Sequence, residues 1–424
     1  MDQQASTSSG PSILSRDSIP TAQSAGKLTD FRLYGEITGV YDSGLLPMPG
    51  SPQGRTNAVA DYGVQSGFGV IGSRRWKRSR LSIEYRGKYS YYPKGTLFNG
   101  SDQFLNLTYT YAFRPHLTLD LKETAGTTTL ANGEFAYVAA ANPGPFGIPT
   151  NELFDNRTNY IESRVTLVWQ DTQRLSFDFG GDGFLVRRDS PLLAGLNGYD
   201  VRAGIAYRLT RRQTIGATYQ HTSFDFAGTY GSSQIETAAM LYSVALSRSV
   251  DFALEFGGSR LVTSGLTQVA IDPAIAAIIG QSTATVTYLR VFYIPLVEAR
   301  LTQRFNRSSL MIGYSTGITP GNGIYLTSRQ TAGTAGLTYS SRHRFTAALN
   351  ASYNTLSTLG QILPPYSNLQ TGGGLTYRLV GQTHLEVRYD FRHYTTQTLL
   401  YQKDSNRITL GVAFSPGDLP LAIW

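Results

Sequence analysis

The chain has 424 residues, no Cys, 16% charged residues and 12% aromatic residues, with 44 Gly and 27 Tyr. The lack of cysteine excludes a disulfide framework and thiolate metal sites, and no apolar run approaches the roughly 18 residues of a membrane-spanning helix. A net charge of +8 admits nucleic acid, an anionic membrane surface or an anionic solute as partner, so the placement of the charges has to decide.

Residues 1–28 are rich in Ser, Thr, Gln and Gly without a period and read as a disordered leader. The first residues lack a basic n-region and an apolar h-region, so no signal peptide is expected and the chain reads as a mature exported protein. From Thr29 onward, period-two segments follow one another at about 29–45, 58–72, 80–93, 103–114, 116–130, 158–170, 174–188, 198–210, 213–227, 235–247, 250–264, 286–304, 308–319, 328–340, 344–358, 369–380, 384–396 and 405–414. In the third, Leu81, Ile83, Tyr85, Tyr89 and Tyr91 alternate with Ser82, Glu84, Arg86, Lys88 and Ser90. In the seventeenth, Leu385, Val387, Tyr389 and Phe391 alternate with Glu386, Arg388, Asp390 and Arg392. A soluble sandwich alternates in the same way, because its apolar face packs on a second sheet.

The connections separate the two readings. Every second one is tight and basic, as at 73–79, 114–116, 171–174, 211–212, 248–251, 304–307, 341–344 and 381–384. The others are longer and rich in Pro, Gly and Asn, as at 131–157 and 265–285. Short turns on one rim and long loops on the other imply a closed antiparallel up-and-down transmembrane β-barrel of eighteen strands, with sixteen as the alternative count. No sequence unit repeats, which argues against a propeller or solenoid. An even count puts both chain ends on the short-turn, periplasmic side and lets the first strand close against the last, removing every edge.

The charges fit this plan. Arg74, Arg75, Lys77, Arg78, Arg211, Arg212, Arg248 and Arg304 lie at short turns, where they meet lipid phosphates; nucleic acid is not an expected partner. Tyr111, Phe113, Trp169, Tyr207, Tyr339 and Tyr377 face outward near those turns, and Tyr41, Tyr62, Tyr89 and Tyr91 near the other rim, as two interfacial girdles. Inward positions carry Arg32, Glu36, Glu84, Arg86, Lys88, Glu162, Arg164, Arg202, Arg378, Glu386, Arg388, Asp390 and Arg392, the expected pore-lining set. So many charges require a wet interior. They support either a basic wall that orients solutes or cross-strand ion pairing that stiffens the barrel. The five His show no Ser-His-Asp or metal-ligand pattern, so no catalytic residue, metal or cofactor is assigned. The run Gly372 to Gly374 reads as a bend in a strand, not a nucleotide loop.

On this architecture, residues 29–414 resemble a bacterial outer-membrane porin of a Gram-negative-type envelope. The resemblance implies an outer-membrane location, lipid contact and insertion by barrel-assembly machinery. It makes the final strand an assembly signal, matched here by Ile408, Leu410, Val412 and Phe414. The chain departs from the pattern by continuing through 415–424, which reads as a periplasmic tail that could hold a periplasmic partner. The resemblance also implies that loop 131–157 folds inward as a constriction carrying Glu134, Phe135, Tyr137, Phe146, Glu152 and Asp155. In loop 265–285, Asp272 and Pro273 read as the start of a short helix that covers the lumen mouth or meets another subunit of a homo-oligomer.

The expected function is diffusion of small hydrophilic solutes, polar or anionic. Two alternatives stand beside it. One is an export conduit for a polymer such as a polysaccharide, guided by Tyr34, Tyr92, Phe104, Tyr160, Phe184 and Phe292. The other is a structural scaffold barrel closed by its own loops.

Overall fold

A computed structural model describes residues 29–45, 59–94, 98–129, 157–271, 280–341, 344–361, 363–396 and 402–415. These form one sheet of eighteen strands. In chain order they are β1 (Thr29–Leu45), β2 (Val59–Arg75), β3 (Ser79–Tyr91), β4 (Gly100–Arg114), β5 (Leu117–Thr128) and β6 (Thr158–Gln170). Then come β7 (Leu175–Arg188), β8 (Gly195–Arg208), β9 (Gln213–Ala227), β10 (Gly231–Ala245), β11 (Val250–Ala270) and β12 (Thr283–Arg304). The last six are β13 (Ser308–Thr319), β14 (Ser328–Ser340), β15 (Phe345–Thr358), β16 (Tyr366–Val380), β17 (Thr383–Thr396) and β18 (Gln402–Phe414). Each strand pairs antiparallel with its neighbour in sequence, and β1 pairs with β18, so the sheet is a closed barrel.

The alternation explains which face is which. On β1, Ile37 is 66% exposed while its neighbours Glu36 and Thr38 are buried. On β18, Ile408, Leu410, Val412 and Phe414 are all exposed, and Arg407 and Ala413 between and beside them are buried. Val64, Phe68, Val165, Met240, Phe256 and Leu349 continue the same exposed belt around the barrel. A wall with large apolar side chains outside and charged ones inside is inverted relative to a water-soluble protein. It satisfies its backbone groups by closure and is an outer-membrane-type β-barrel lying against lipid. Tyr62, Tyr89 and Tyr91 near the long-loop rim and Phe113, Trp169, Tyr207, Tyr339 and Tyr377 near the short-turn rim are exposed, as interfacial aromatics must be.

The short turns close locally. Thr210 N donates to Gln213 O at 3.3 Å, and Phe305 N to Ser308 O at 2.7 Å. Register slips by a bulge at Asp42/Leu45, Ala112/Arg114 and Arg378/Val380. One expectation needs correction. The stretch 265–285 is not a loop throughout, because β11 runs on to Ala270 and β12 starts at Thr283, paired from Ala270↔Thr283 down to Val250↔Gln303. β10 reaches only Gly231↔Gly265, so beyond that pair the two strands continue as a ribbon. The backbone pairing of this ribbon overrides its irregular side-chain pattern. The helix expected at Asp272 lies outside the described residues, as do the leader and the tail after Ser415.

Candidate functional site

The residues expected to line a pore lie at inward positions, opposite the exposed belt. Near the β1–β18 closure these groups pair. Lys88 Nζ lies 3.2 Å from Glu36 Oε1, with both side chains almost fully covered. Arg86 pairs with Glu84, two residues along its own strand. Arg388 forks onto Asp390, its Nε 2.7 Å from Oδ2 and its Nη2 3.0 Å from Oδ1. Arg407 Nη2 donates to Gln65 Oε1 at 3.1 Å, and Gln65 Nε2 donates to Ser90 Oγ at 2.8 Å. Arg378, by contrast, turns back to the rim and donates to Gly381 O. Arg32, Glu386 and Arg392 share the inward face, and each has interactions of its own.

The β6–β8 wall repeats the arrangement with more acid. Arg164 bridges Asp182 at 2.9 Å and Glu162 at 3.2 Å. Asp182 stands directly across from Asp200, which Gln220 contacts. Arg202 Nη2 donates to Thr166 Oγ1 at 3.0 Å. Glu162 Oε2 and Asp200 Oδ1 are buried without a protein hydrogen bond among the described residues. Carboxylate oxygens at such positions need water or a polar solute beside them. The geometry therefore gives a wall of dipolar pairs. Its register makes the pairs: Arg164 sits opposite Asp182, and Lys88 is one strand away from the Gly67 that faces Glu36.

The long-loop end of the interior differs in kind. Three apolar clusters ring it. One joins Phe104, Tyr160, Phe184, Leu196, Phe224, Phe226 and Leu261 from successive strands, with Phe292, Ile318, Leu326 and Leu359 packed against it. A second holds Tyr325, Leu356, Tyr366 and Tyr394, and a third Val40, Leu45, Tyr92 and Phe98. Leu326, Tyr325 and Leu359 come from the β13–β14 and β15–β16 connections, so these two connections fold into the barrel.

Their path is fixed by polar contacts. Gly321 turns the chain at φ 74°, where a Cβ would lie 1.7 Å from the Tyr325 carbonyl oxygen. Asn322 Oδ1 accepts from Tyr325 N at 3.1 Å, and Asn322 N donates to Tyr325 O at 3.0 Å. Tyr325 Oη donates to Pro364 O at 3.1 Å, and burial pushes this phenol's pKa up. Gln361 ties the two connections together, accepting from Leu326 N at 3.0 Å and donating to Ile324 O at 3.3 Å. Across the lumen, Ala194 N donates to Gly323 O at 3.0 Å, and the Thr327 and Ser233 hydroxyls meet at 2.6 Å.

The described interior is therefore narrowed by 320–327 and its neighbour. The constriction set expected from 131–157, namely Glu134, Phe135, Tyr137, Phe146, Glu152 and Asp155, lies outside the described residues. The inward aromatics expected to guide a polymer are occupied differently. Phe104, Tyr160, Phe184 and Phe292 pack with the inward connections, and Tyr92 with Phe98. The sequence reading missed Asn322, Tyr325 and Gln361. Its usable signal was the turn-rich Pro320-Gly-Asn-Gly323 followed by the apolar Ile324-Tyr-Leu326, an unusual content for a solvated loop. Among the described residues, no cluster of His, Asp or Glu could hold a metal ion.

No protein-family model matches the chain, and no curated protein sequence matches it. Among solved structures it is similar to Pseudomonas aeruginosa OccK5 (OpdH), with 12% identity and a TM-score of 0.45 over 93% of this chain and 99% of that one. Pseudomonas aeruginosa OpdQ gives 10% identity and a TM-score of 0.45 over 93% and 98%. Acinetobacter baumannii OccAB1 gives 10% identity and a TM-score of 0.42 over 92% and 97%.

Proposed function

We propose that the barrel is a passive channel for small hydrophilic solutes, with weak preference among ions. The observation that carries this reading is the inward wall of paired charges, from Lys88–Glu36 and Arg388–Asp390 to Arg164 between Glu162 and Asp182. Such pairs offer both signs to a hydrated solute and leave little surplus of either, so they favour polarity over a fixed charge. Of the residues expected to line the pore, Glu36, Glu84, Arg86, Lys88, Glu162, Arg164, Arg388 and Asp390 supply these pairs. The inward connections containing Tyr325 and Gln361 set the narrow part on the outer side. The interior apolar clusters leave few aromatic faces free for a sliding polymer, which speaks against the export conduit.

Single-channel recording in planar bilayers tests the proposal. The expected result is a small, steady conductance with modest cation-to-anion discrimination, raised by replacing both Tyr325 and Leu326 with Gly. A wild-type chain that is silent, and stays silent in the Gly variant, overturns it and favours the scaffold barrel.

A further inference from the structure

The wall is discontinuous between β12 and β13. Their ladder runs only from Arg304↔Ser309 to Val297↔Thr316. Above it, β12 continues from Leu296 to Thr283 with β11 as its partner, and β13 continues to Thr319 with β14 as its partner. No ladder pair joins 288–296 to 317–319. The sequence accounts for the break. Pro295 lies just past the last ladder pair on β12, and Pro320 directly follows β13. Neither has a backbone N–H, and proline is confined to strand edges for that reason. What remains at the seam is an apolar contact: Leu296 Cδ1 lies 3.1 Å from where a Cβ on Gly317 would stand.

Apolar side chains flank the seam, with Arg290 on β12 and Arg329 on β14 beside them. Inside, Phe292, Ile318 and Leu326 pack onto the large lumen cluster. Outside, beside β12, lies a groove of about 460 Å³ lined by Tyr219, Ala238, Gly258, Tyr293 and Pro295 and headed by the Arg260–Glu236 ion pair. Ala238, Gly258 and Pro295 form one row of small side chains across β10–β12, bordered by Tyr219 on β9. Tyr293 next to it is 78% exposed. The interrupted ladder thus lies between the lumen cluster and the lipid-facing surface, and Pro295 at its end also borders the outer groove.

From this we infer that the β12–β13 seam is a lateral portal, through which small apolar or weakly amphiphilic molecules exchange between the outer part of the lumen and the surrounding lipid. Leu296 closes the portal at rest. This function goes beyond axial diffusion of hydrophilic solutes, and its closing contact, Leu296 against Gly317, is not part of the axial constriction.

The test staples the seam. The chain has no Cys, so Leu296→Cys with Gly317→Cys gives a single pair that can be oxidised to a disulfide and reduced again. The probe is the apolar dye 1-N-phenylnaphthylamine, applied to cells whose lipopolysaccharide leaflet excludes it. Wild-type protein should speed dye entry. The oxidised pair should return entry to the level of cells lacking the protein, reduction should restore it, and axial conductance in bilayers should stay unchanged throughout. Leu296→Ala, which removes the plug without a crosslink, should speed entry. Unchanged dye entry in the oxidised pair, with the disulfide verified by mass, overturns the portal. So does joint loss of dye entry and conductance, or a wild-type chain that admits no dye. Failure of the dye arm with steady currents leaves the hydrophilic channel standing, so the two readings fail separately.

Discussion

Two seams of the barrel have ladders of the same extent and are sealed differently. The β1–β18 seam pairs Gly35↔Phe414 through Asp42↔Arg407, and the β12–β13 seam pairs Val297↔Thr316 through Arg304↔Ser309. Past the end of the first ladder, side chains take over. Ser405 Oγ donates to Asp42 Oδ1 at 3.0 Å, Asn406 N donates to Ser43 Oγ at 2.8 Å, and Asp42 Oδ1 also accepts from Gly44 N at 2.9 Å. Past the end of the second stand two prolines and a leucine against a glycine. Directional bonds hold a seam in one arrangement, because misplacing a buried donor or acceptor leaves it unsatisfied. Apolar contact carries no such penalty and can part and re-form. The difference teaches that a barrel can be locked at one seam and compliant at another with equal backbone pairing.

The largest effect is expected at the locked seam's outer face. Phe414→Ala should lower the yield of assembled barrel in outer membranes more than deletion of 419–424. Equal yields for Phe414→Ala and wild type, with loss on deleting the tail, would move the assembly signal to Trp424. Inside the same sector, Lys88→Ala leaves the covered Glu36 without its cation and should cost about 3–5 kcal/mol in urea unfolding of the lipid-reconstituted barrel. A shift no larger than that of a surface substitution would mean that Glu36 finds water there. Ser405→Ala removes one neutral donor from Asp42 and should cost about 1 kcal/mol by the same measurement. At the compliant seam the sign reverses. Pro295→Val restores a backbone donor, and it should stabilise by at most about 1 kcal/mol and slow hydrogen exchange at 317–319. Unaltered exchange there would show that Pro320 alone ends the ladder.

Much of the fold was legible in the sequence because lipid imposes a simple rule. An outward face must be apolar along its whole span, so residues such as Leu385, Val387 and Tyr389 announce both the strand and its orientation. The paired character of the connections then supplied closure. β11 and β12 were read too short, since Thr267, Gln268 and Val269 break the alternation in the sequence, while their backbone pairs with β12 keep them in the sheet. The candidate site was legible in its parity and no further. That Arg164 faces inward follows from alternation. That it bridges Asp182 on the next strand depends on register, which is set by turn geometry spread over both strands. The inward folding of 320–327 shows locally only in its turn-rich and apolar content; its partners, Ser233 and Gln361 among them, lie far away in sequence.

The neighbour-to-neighbour order of the strands has a consequence for how the molecule comes to exist. Seventeen of its pairings join consecutive strands and can form as local hairpins. The remaining one joins residues 363 positions apart, as with Asp42 and Ser405. Bringing the ends of so long a flexible segment together costs about 5 kcal/mol beyond a constant term. A curved, already paired sheet holds its two edges near each other and removes most of that cost. Hairpin-by-hairpin growth with β1–β18 joined last is therefore the order of events in which the chain makes its one pairing of non-consecutive strands only when it is cheapest to make.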